Sequence, residues 1–534
     1  MTVATTLARS FSSDSNDVAI LVPKTPKTPA PLSISYSQLH AQVANFQAKL
    51  ANLGVTHGGA VSLALVNSYE FIVAFLAASW QRAIAAPLNP AYKQEEFEFY
   101  IDDLSSTLVL IPRGSFVQNG PAVRAARKYN AAIAECYWDG AEIVLDVKEQ
   151  GKLAGNRGVG VHDAQPDDVA LVLHTSGTTG RPKAESHYHD ESVTSLDPVA
   201  VPFLISSTNH NVENIRDTYQ LTPQDRTYLV MPLFHVHGLL AAFLAPLYAG
   251  GSVIVPETFS ASHFWSDFVT YQANWYTAVP TIHQVLLKTP LPNPIPQIRF
   301  IRSCSSPLSP KTFQDLERTF NAPVLEAYAM TEAAHQMTSN PLPPGKRQPG
   351  SVGIGQGVEI KILDQAGKEV PQGNEAEICV RGENVTKGYL NNPAANQSSF
   401  TPNGFFRTGD QGKLDADGYV IITGRIKELI NKGGEKISPI ELDNTLLHHL
   451  QVAEAVCFAI PDEGHYGEDI GAAVVLKGRD VATEEELKAW VESKLAKFKT
   501  PKKVWIVAQI PKTATGKIQR RKVAETMLTP KAKL

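Results

Sequence analysis

The stretch His174-Thr175-Ser176-Gly177-Thr178-Thr179-Gly180-Arg181-Pro182-Lys183 gathers small, hydroxylic and cationic residues directly after the apolar run Val169 to Leu173. Such a run reads as a buried strand. Glycine reaches backbone conformations closed to other residues, the hydroxyls of Thr175, Ser176 and Thr178 can donate to phosphate oxygens, and Lys183 adds positive charge. A strand that opens into this loop is suited to hold phosphate. The Walker A pattern is excluded, because it needs four residues between its glycines and a Lys-Ser/Thr pair immediately after the second.

Further candidates follow in chain order. His235 and His237 flank Val236 where an apolar run ends in Pro232, and by type alone such histidines are most simply partly buried and hydrogen-bonded. Ile301 to Leu308 contains Ser303, Cys304, Ser305 and Ser306, a small-residue loop that allows close backbone approach to a flat ring. Glu326-Ala327-Tyr328 leads to Thr331-Glu332, which offers a stacking ring, a phosphate donor and a hard oxygen ligand for magnesium. Asp410 follows a glycine turn, Phe406-Arg407-Thr408-Gly409, and could accept two hydrogen bonds from ribose hydroxyls. Lys432-Gly433-Gly434 suits a polyanion, with a basic surface turn as the alternative. Lys517 follows Gly516 in a loop that begins at Pro511.

The elements expected to position these residues are βαβ units. Leu39, Val43, Phe46, Leu50 and Leu53 repeat with helical spacing between Ser37 and Leu53, and Gly54 supplies a stop. Ala60 to Leu65 and Thr107 to Ile111 read as strands and Ser68 to Gln81 as a helix, which argues for an α/β fold with mainly parallel sheet. Asp225 to Pro256 reads as strand, turn, helix, strand. From about Ile426 an α+β module begins, with strands near Glu454 to Ile460 and Gly471 to Leu476 and a helix signed by the Thr483/Glu486 capping box.

Composition places the chain among globular proteins of two or more domains: 534 residues, 43% hydrophobic, 19% charged. A net charge of −4 gives no reason to expect nucleic acid or an acidic membrane as the main partner. Cys136, Cys304, Cys379 and Cys457 are too scattered for a zinc site or a disulfide framework. There is no apolar run long enough to span a bilayer. The first residues faintly resemble a transit peptide, but a frayed terminus fits them better.

In their order, these motifs resemble the adenylate-forming enzymes, the superfamily of acyl-CoA and aryl-CoA synthetases, peptide-synthetase adenylation domains and luciferases. The resemblance implies a large N-terminal domain (1–424) and a small mobile C-terminal domain (425–534). It implies ATP, magnesium and coenzyme A as cofactors and substrates. It assigns ATP to Thr175 to Gly180, Lys183, Ser305, Ser306, Glu326, Ala327, Tyr328, Thr331, Asp410, Arg425 and Lys517, and magnesium to Glu332. Lys517, Glu332, Thr331 and His235 are its catalytic candidates, Lys432, Gly433 and Gly434 its coenzyme A loop, and Lys427 its hinge.

A peptide-synthetase module would need a downstream carrier domain, and 17 residues follow Lys517. A luciferase carries no separate signature, and a non-catalytic descendant is disfavoured by the intact Lys183, Glu332, Asp410 and Lys517. Within the superfamily, Phe234 to Gly238, Arg302 to Ser306 and Tyr328 to Met337 resemble the oxalate-CoA ligases more than the coumarate or fatty-acid ligases. Polar groups in an acyl pocket imply a polar acyl group, so His237, Arg302 and His335 are candidates for a second carboxylate. A general acyl- or aryl-CoA ligase is the alternative. Glu185 to Ala200, about 16 residues, reads as an insertion after the phosphate lysine, from a retained intron or a wrong gene model, with a tolerated surface loop as the rival. The terminal Ala532-Lys533-Leu534 fits the small-basic-leucine address read by a peroxisomal import receptor, which gives the expected location.

Overall fold

The computed structural model describes residues 11, 13–24, 30–153, 164–175, 199–462, 467–478, 482–513 and 516–529. The chain is α/β, with two large sheets, a four-stranded antiparallel sheet and a separate C-terminal sheet.

The first large sheet has seven strands: Ile143–Glu149, Ala132–Trp138, Leu108–Pro112, Ala60–Leu63, Ile84–Pro87, Val169–His174 and Ala200–Leu204, in spatial order. Its centre is parallel and each edge carries an antiparallel strand. The second has nine: Ile354–Gly355, His335–Ser339, Val324–Met330, Phe300–Ser303, Trp275–Ala278, Arg226–Leu229, Ser252–Ile254, Val18–Val22 and Leu32–Ser35. Six of these run parallel, from Val324–Met330 to Val18–Val22. Parallel strands need both faces covered, and helices supply the cover.

Helix Tyr36–Leu53 begins at Ser35, whose side chain accepts from Gln38 N–H while Gln38 returns a bond to the Ser35 backbone. This reciprocal cap stabilises the helix by about 1 kcal/mol. Gly54 ends it at φ +100°, a conformation that costs other residues strain. Helix Tyr69–Trp80 is buried on every side but at Glu70, which its almost unbroken apolar sequence requires. It belongs to the main core, where Phe71 and Phe75 stack.

The reading of Asp225 to Pro256 is refined in one respect: its helix is an eight-residue π-helix, His237–Leu244, followed by the turn Ala245–Tyr248. Such wide helical turns concentrate at functional sites, and this one begins at a candidate residue. Gly238 permits the start, because a Cβ there would stand 2.2 Å from the Pro232 carbonyl oxygen.

The smaller domain packs Glu435–Ile437, Ile430–Lys432, Gly467–Leu476, Val452–Asp462 and Lys503–Ile506 against helices Pro439–Leu447, Glu484–Lys494 and Arg520–Leu528 around its own core. Thr483 and Glu486 form the expected capping box. Among the described residues no helix is long and apolar enough to cross a membrane.

Candidate active site

Two of the candidate motifs stand where parallel strands of the nine-stranded sheet end, while Asp410 and Arg425 lie on paired strands of the four-stranded sheet. Strand Phe300–Ser303 delivers Arg302 and then the turn Cys304 to Ser306, with Ser305 at φ +72°. Strand Val324–Met330 delivers Tyr328 and then the short 3-10 turn Thr331–Ala333. Register places Arg302 beside Thr277 on one face of the sheet and Ser303 beside Glu326 on the other.

On the first face lies a sealed polar cluster. Arg302, His237 and His335 have no exposed surface. The Arg302 guanidinium donates to Tyr219 Oη at 2.7 Å, Thr277 Oγ1 at 3.1 Å and Gln336 Oε1 at 3.3 Å, and lies 3.4 Å from His237 Nε2. His237 uses its other ring nitrogen on Ser305 Oγ at 3.0 Å, and its ring stacks on His335 with centroids 5.3 Å apart. Burial first, then the Arg302 charge, pushes both imidazoles well below the usual histidine range, so both are neutral at physiological pH. Among the described residues Arg302 has no carboxylate partner, and neither ring nitrogen of His335 has any hydrogen-bond partner. His335 is also held at φ +104°, an uncommon conformation for a side chain of its size.

The second cluster is ionic and more open. Asp410 accepts from Arg425 Nε at 2.8 Å and from the Tyr328 hydroxyl. Glu332 accepts from Tyr389 Oη at 2.9 Å, and burial raises its carboxyl above the ordinary range. Thr331 opens the 3-10 turn beside it. Lys517 is exposed, but its charge feels neighbouring protein: partial loss of hydration and then Arg425 lower its ammonium, while Asp410, Glu428 and Glu332 oppose that shift. His235 is within electrostatic reach of Lys517, and burial followed by that charge pulls it down to about 4.

The structure thus brings Lys517, Glu332, Asp410, Arg425 and His235 together, and separately Arg302, His237, His335 and Ser305. Ser306 closes its turn on the Ser305 carbonyl oxygen at 2.8 Å, and Ala327 is buried against Ser339. Thr175, just after the strand Val169–His174, donates its N–H to the Val199 carbonyl at 3.0 Å. Ser176, Gly177, Thr178, Thr179, Gly180 and Lys183 lie outside the described residues, as do Ala532, Lys533, Leu534 and the proposed insertion up to residue 198. Ala200, the last residue of that insertion, is instead the first of strand Ala200–Leu204, paired with His174.

Two candidate side chains are engaged within the protein. The Glu326 side chain is turned into the protein, where Oε1 accepts the Leu308 N–H at 2.9 Å, and the Glu326 carbonyl accepts from the Asn340 amide. Lys432 forms an ion pair with Asp469 at 2.6 Å, beside the exposed Gly433-Gly434 turn.

The chain matches known proteins over most of its length. Residues 16–390 match the AMP-binding enzyme family and residues 441–517 the AMP-binding enzyme C-terminal domain. The chain belongs to the AMP-binding enzymes. Among AMP-binding enzymes it is 46% identical to the oxalate–CoA ligase of Saccharomyces cerevisiae across 98% of both chains. It is also 46% identical to the oxalate–CoA ligase of Arabidopsis thaliana, across 93% of this chain and 94% of that one. ATP-bound MatB from Rhodopseudomonas palustris has the same fold, with a TM-score of 0.84 at 30% identity over 97% of this chain and 98% of that one.

Sequence reasoning missed the residues that support these groups. Tyr219, Thr277 and Gln336 fix Arg302, and Tyr389 fixes Glu332. Only Tyr389 carried a signal, as an aromatic residue in the turn-rich run Gly388 to Pro393.

Proposed function

We propose that this AMP-binding enzyme joins oxalate to coenzyme A through an oxalyl adenylate, releasing pyrophosphate and then AMP. The observation that carries the substrate is Arg302, a buried cation with no carboxylate partner among the described residues. A buried charge without a counter-charge is costly, and the second carboxylate of a small diacid would supply the missing one. His335, with both ring nitrogens unpartnered, can donate one hydrogen bond to the same group. The yeast and plant oxalate–CoA ligases, at 46% identity, support this choice.

In the first step a carboxylate oxygen attacks the α-phosphorus, the bond to the bridging oxygen of the β-phosphate breaks, and pyrophosphate leaves. Two anions must approach, so fixed positive charge lowers the barrier. Lys517 supplies it beside Arg425, and the loop from Thr175 to Lys183 holds the departing phosphates. Asp410 takes the ribose hydroxyls, with Tyr328 and Arg425 holding it in place. Neutral His235 lines the approach of the carboxylate without adding a competing charge.

Magnesium, when bound, supplies charge neutralisation across the phosphates. Glu332 is the candidate ligand: burial makes its unmetallated carboxylate costly, and no cluster of three or more His, Cys, Asp or Glu occurs among the described residues. One carboxylate plus phosphate oxygens fits magnesium's habit.

In the second step the small domain turns about Lys427, an exposed residue in the 3-10 turn Ile426–Glu428, and Lys517 withdraws. The Gly433-Gly434 turn then guides coenzyme A, whose thiolate attacks the acyl carbon as AMP leaves. We place the domain boundary just after Arg425, where strand Val420–Arg425 ends, one residue beyond the 424/425 division. Ala532-Lys533-Leu534 is proposed as the address for peroxisomal import.

A purified-enzyme panel of oxalate, malonate, acetate, hexanoate and 4-coumarate tests the substrate by kcat/KM, with ATP, magnesium and coenzyme A supplied. Oxalate should lead. A fatty or aromatic acid in first place would refute the polar-site argument.

A further inference from the structure

The lysine loop is held to the large domain at a definite point. Its base closes on itself: Thr513 N–H donates to the Lys517 carbonyl at 2.8 Å, Lys517 N–H returns a bond to Thr513 Oγ1 at 3.1 Å, and Lys512 bridges Ile518. Beside Lys517, the Gly516 carbonyl accepts a hydrogen bond from Thr281 Oγ1 at 3.0 Å. Thr281 is the second residue of helix Pro280–Leu287, far in sequence from the hinge at Ile426–Glu428. The helix starts after Val279, which offers no side-chain cap, and carries Pro280 in its first turn.

The fit is close on both sides. Gly516 has φ +78°, and a Cβ there would stand 2.8 Å from Thr281 Oγ1 and 3.3 Å from Val279 Cγ2. A side chain at this position would therefore meet backbone strain and a clash together. The same segment reaches the acyl cluster, because Thr277, on the strand just before the helix, bonds His237 at 2.6 Å and Arg302 at 3.1 Å.

We propose that Thr281 is a positioning residue for the adenylation step: its hydroxyl latches Gly516 and so holds Lys517 over the reacting phosphate. This rests on the proposed two-conformation reading, in which Lys517 serves only the first step. The latch breaks when the small domain turns, so the thioester step does not use it. A neutral hydrogen bond of this kind shifts a rate by about 3- to 10-fold when removed.

The test compares Thr281→Val, Thr281→Ser, Gly516→Ala and Lys517→Ala in two assays on the full chain: ATP–pyrophosphate exchange driven by oxalate, and coenzyme A-dependent release of AMP from preformed acyl adenylate. Thr281→Val, which keeps the shape and loses the hydroxyl, should slow exchange about 3- to 10-fold and leave AMP release unchanged. Thr281→Ser should restore exchange, and Gly516→Ala should slow exchange more than Thr281→Val does. Exchange at the wild-type rate in Thr281→Val, or equal losses in both assays, would overturn the latch. Lys517→Ala separates the two ideas: if it loses exchange selectively while Thr281→Val does not, the latch alone fails, and if it loses both steps equally, the two-conformation reading fails.

Discussion

The proposed nucleotide end and the proposed acyl end of this site handle charge in opposite ways. At the nucleotide end charges are matched within the protein: Asp410 faces Arg425 at 2.8 Å, and Lys517 lies in the field of Asp410, Glu428 and Glu332. At the acyl end Arg302 is surrounded by hydroxyls, an amide oxygen and neutral imidazole, without a carboxylate among the described residues. A site with internal pairs is organised before its ligand arrives. A buried cation without a partner is completed by an anion from outside, and on the proposed reading that selects the acid.

The largest effect is expected where the matched end meets the reacting phosphate. Lys517→Ala should cut adenylation about 100- to 1000-fold while thioester formation from preformed adenylate persists, as pyrophosphate-release and thioester assays on one preparation would show. Asp410→Asn removes the carboxylate that Arg425 and Tyr328 hold, and should weaken kcat/KM for ATP about 10- to 100-fold, with selectivity among acids unchanged. If acid selectivity moved as well, the two ends would not be separable.

Tyr219→Phe sharpens the other side. The Tyr219 hydroxyl links Arg302, Gln336 Oε1 at 2.9 Å and Ser339 Oγ at 2.8 Å. Its loss should lower kcat/KM for oxalate about 3- to 10-fold and leave the KM for ATP alone.

The smallest effect is on stability. His235, pulled to about 4, and His283, to about 3, stay neutral in the fold but protonate near 6.5 when unfolded, so they bind fewer protons folded and their contribution is lost as pH falls below 6.5. Glu326 does the reverse: raised to about 8 against an ordinary 4.5, it holds a proton in the fold that the unfolded chain has released, so stability declines as pH rises through 4.5 to 8. Glu326→Gln should therefore raise the Tm at pH 8 by about 1–3 °C and change it less at pH 5, in thermal scans at both pH values. An equal change at both would remove Glu326 as the cause.

Much of this architecture is legible in the sequence. Helix Tyr36–Leu53 declares itself through spacing, cap and Gly54, and the sheet-end motifs are short runs of glycine, hydroxyl and charge that few other uses require. The π-helix His237–Leu244 is not legible, because an apolar run looks alike at four or five residues per bond. Nor is the inward turn of Glu326, which depends on strand parity and on the Leu308 N–H across the sheet. Tyr219, Thr277 and Thr281 belong to ordinary helices and strands, and only tertiary packing brings them to the site.

The central claim is that the unmatched charge of Arg302 selects a diacid. It is tested most directly by the ratio of kcat/KM for oxalate to that for acetate in the wild-type enzyme and in Arg302→Met, with the Tm of both. Loss of a buried charge contact to the substrate should cut oxalate turnover about 30- to 1000-fold, change acetate turnover far less, and leave the Tm level or higher, since an apolar chain of similar length replaces an uncompensated cation. A ratio that stays constant because both acids lose activity together, or a wild-type enzyme that favours acetate, would contradict it.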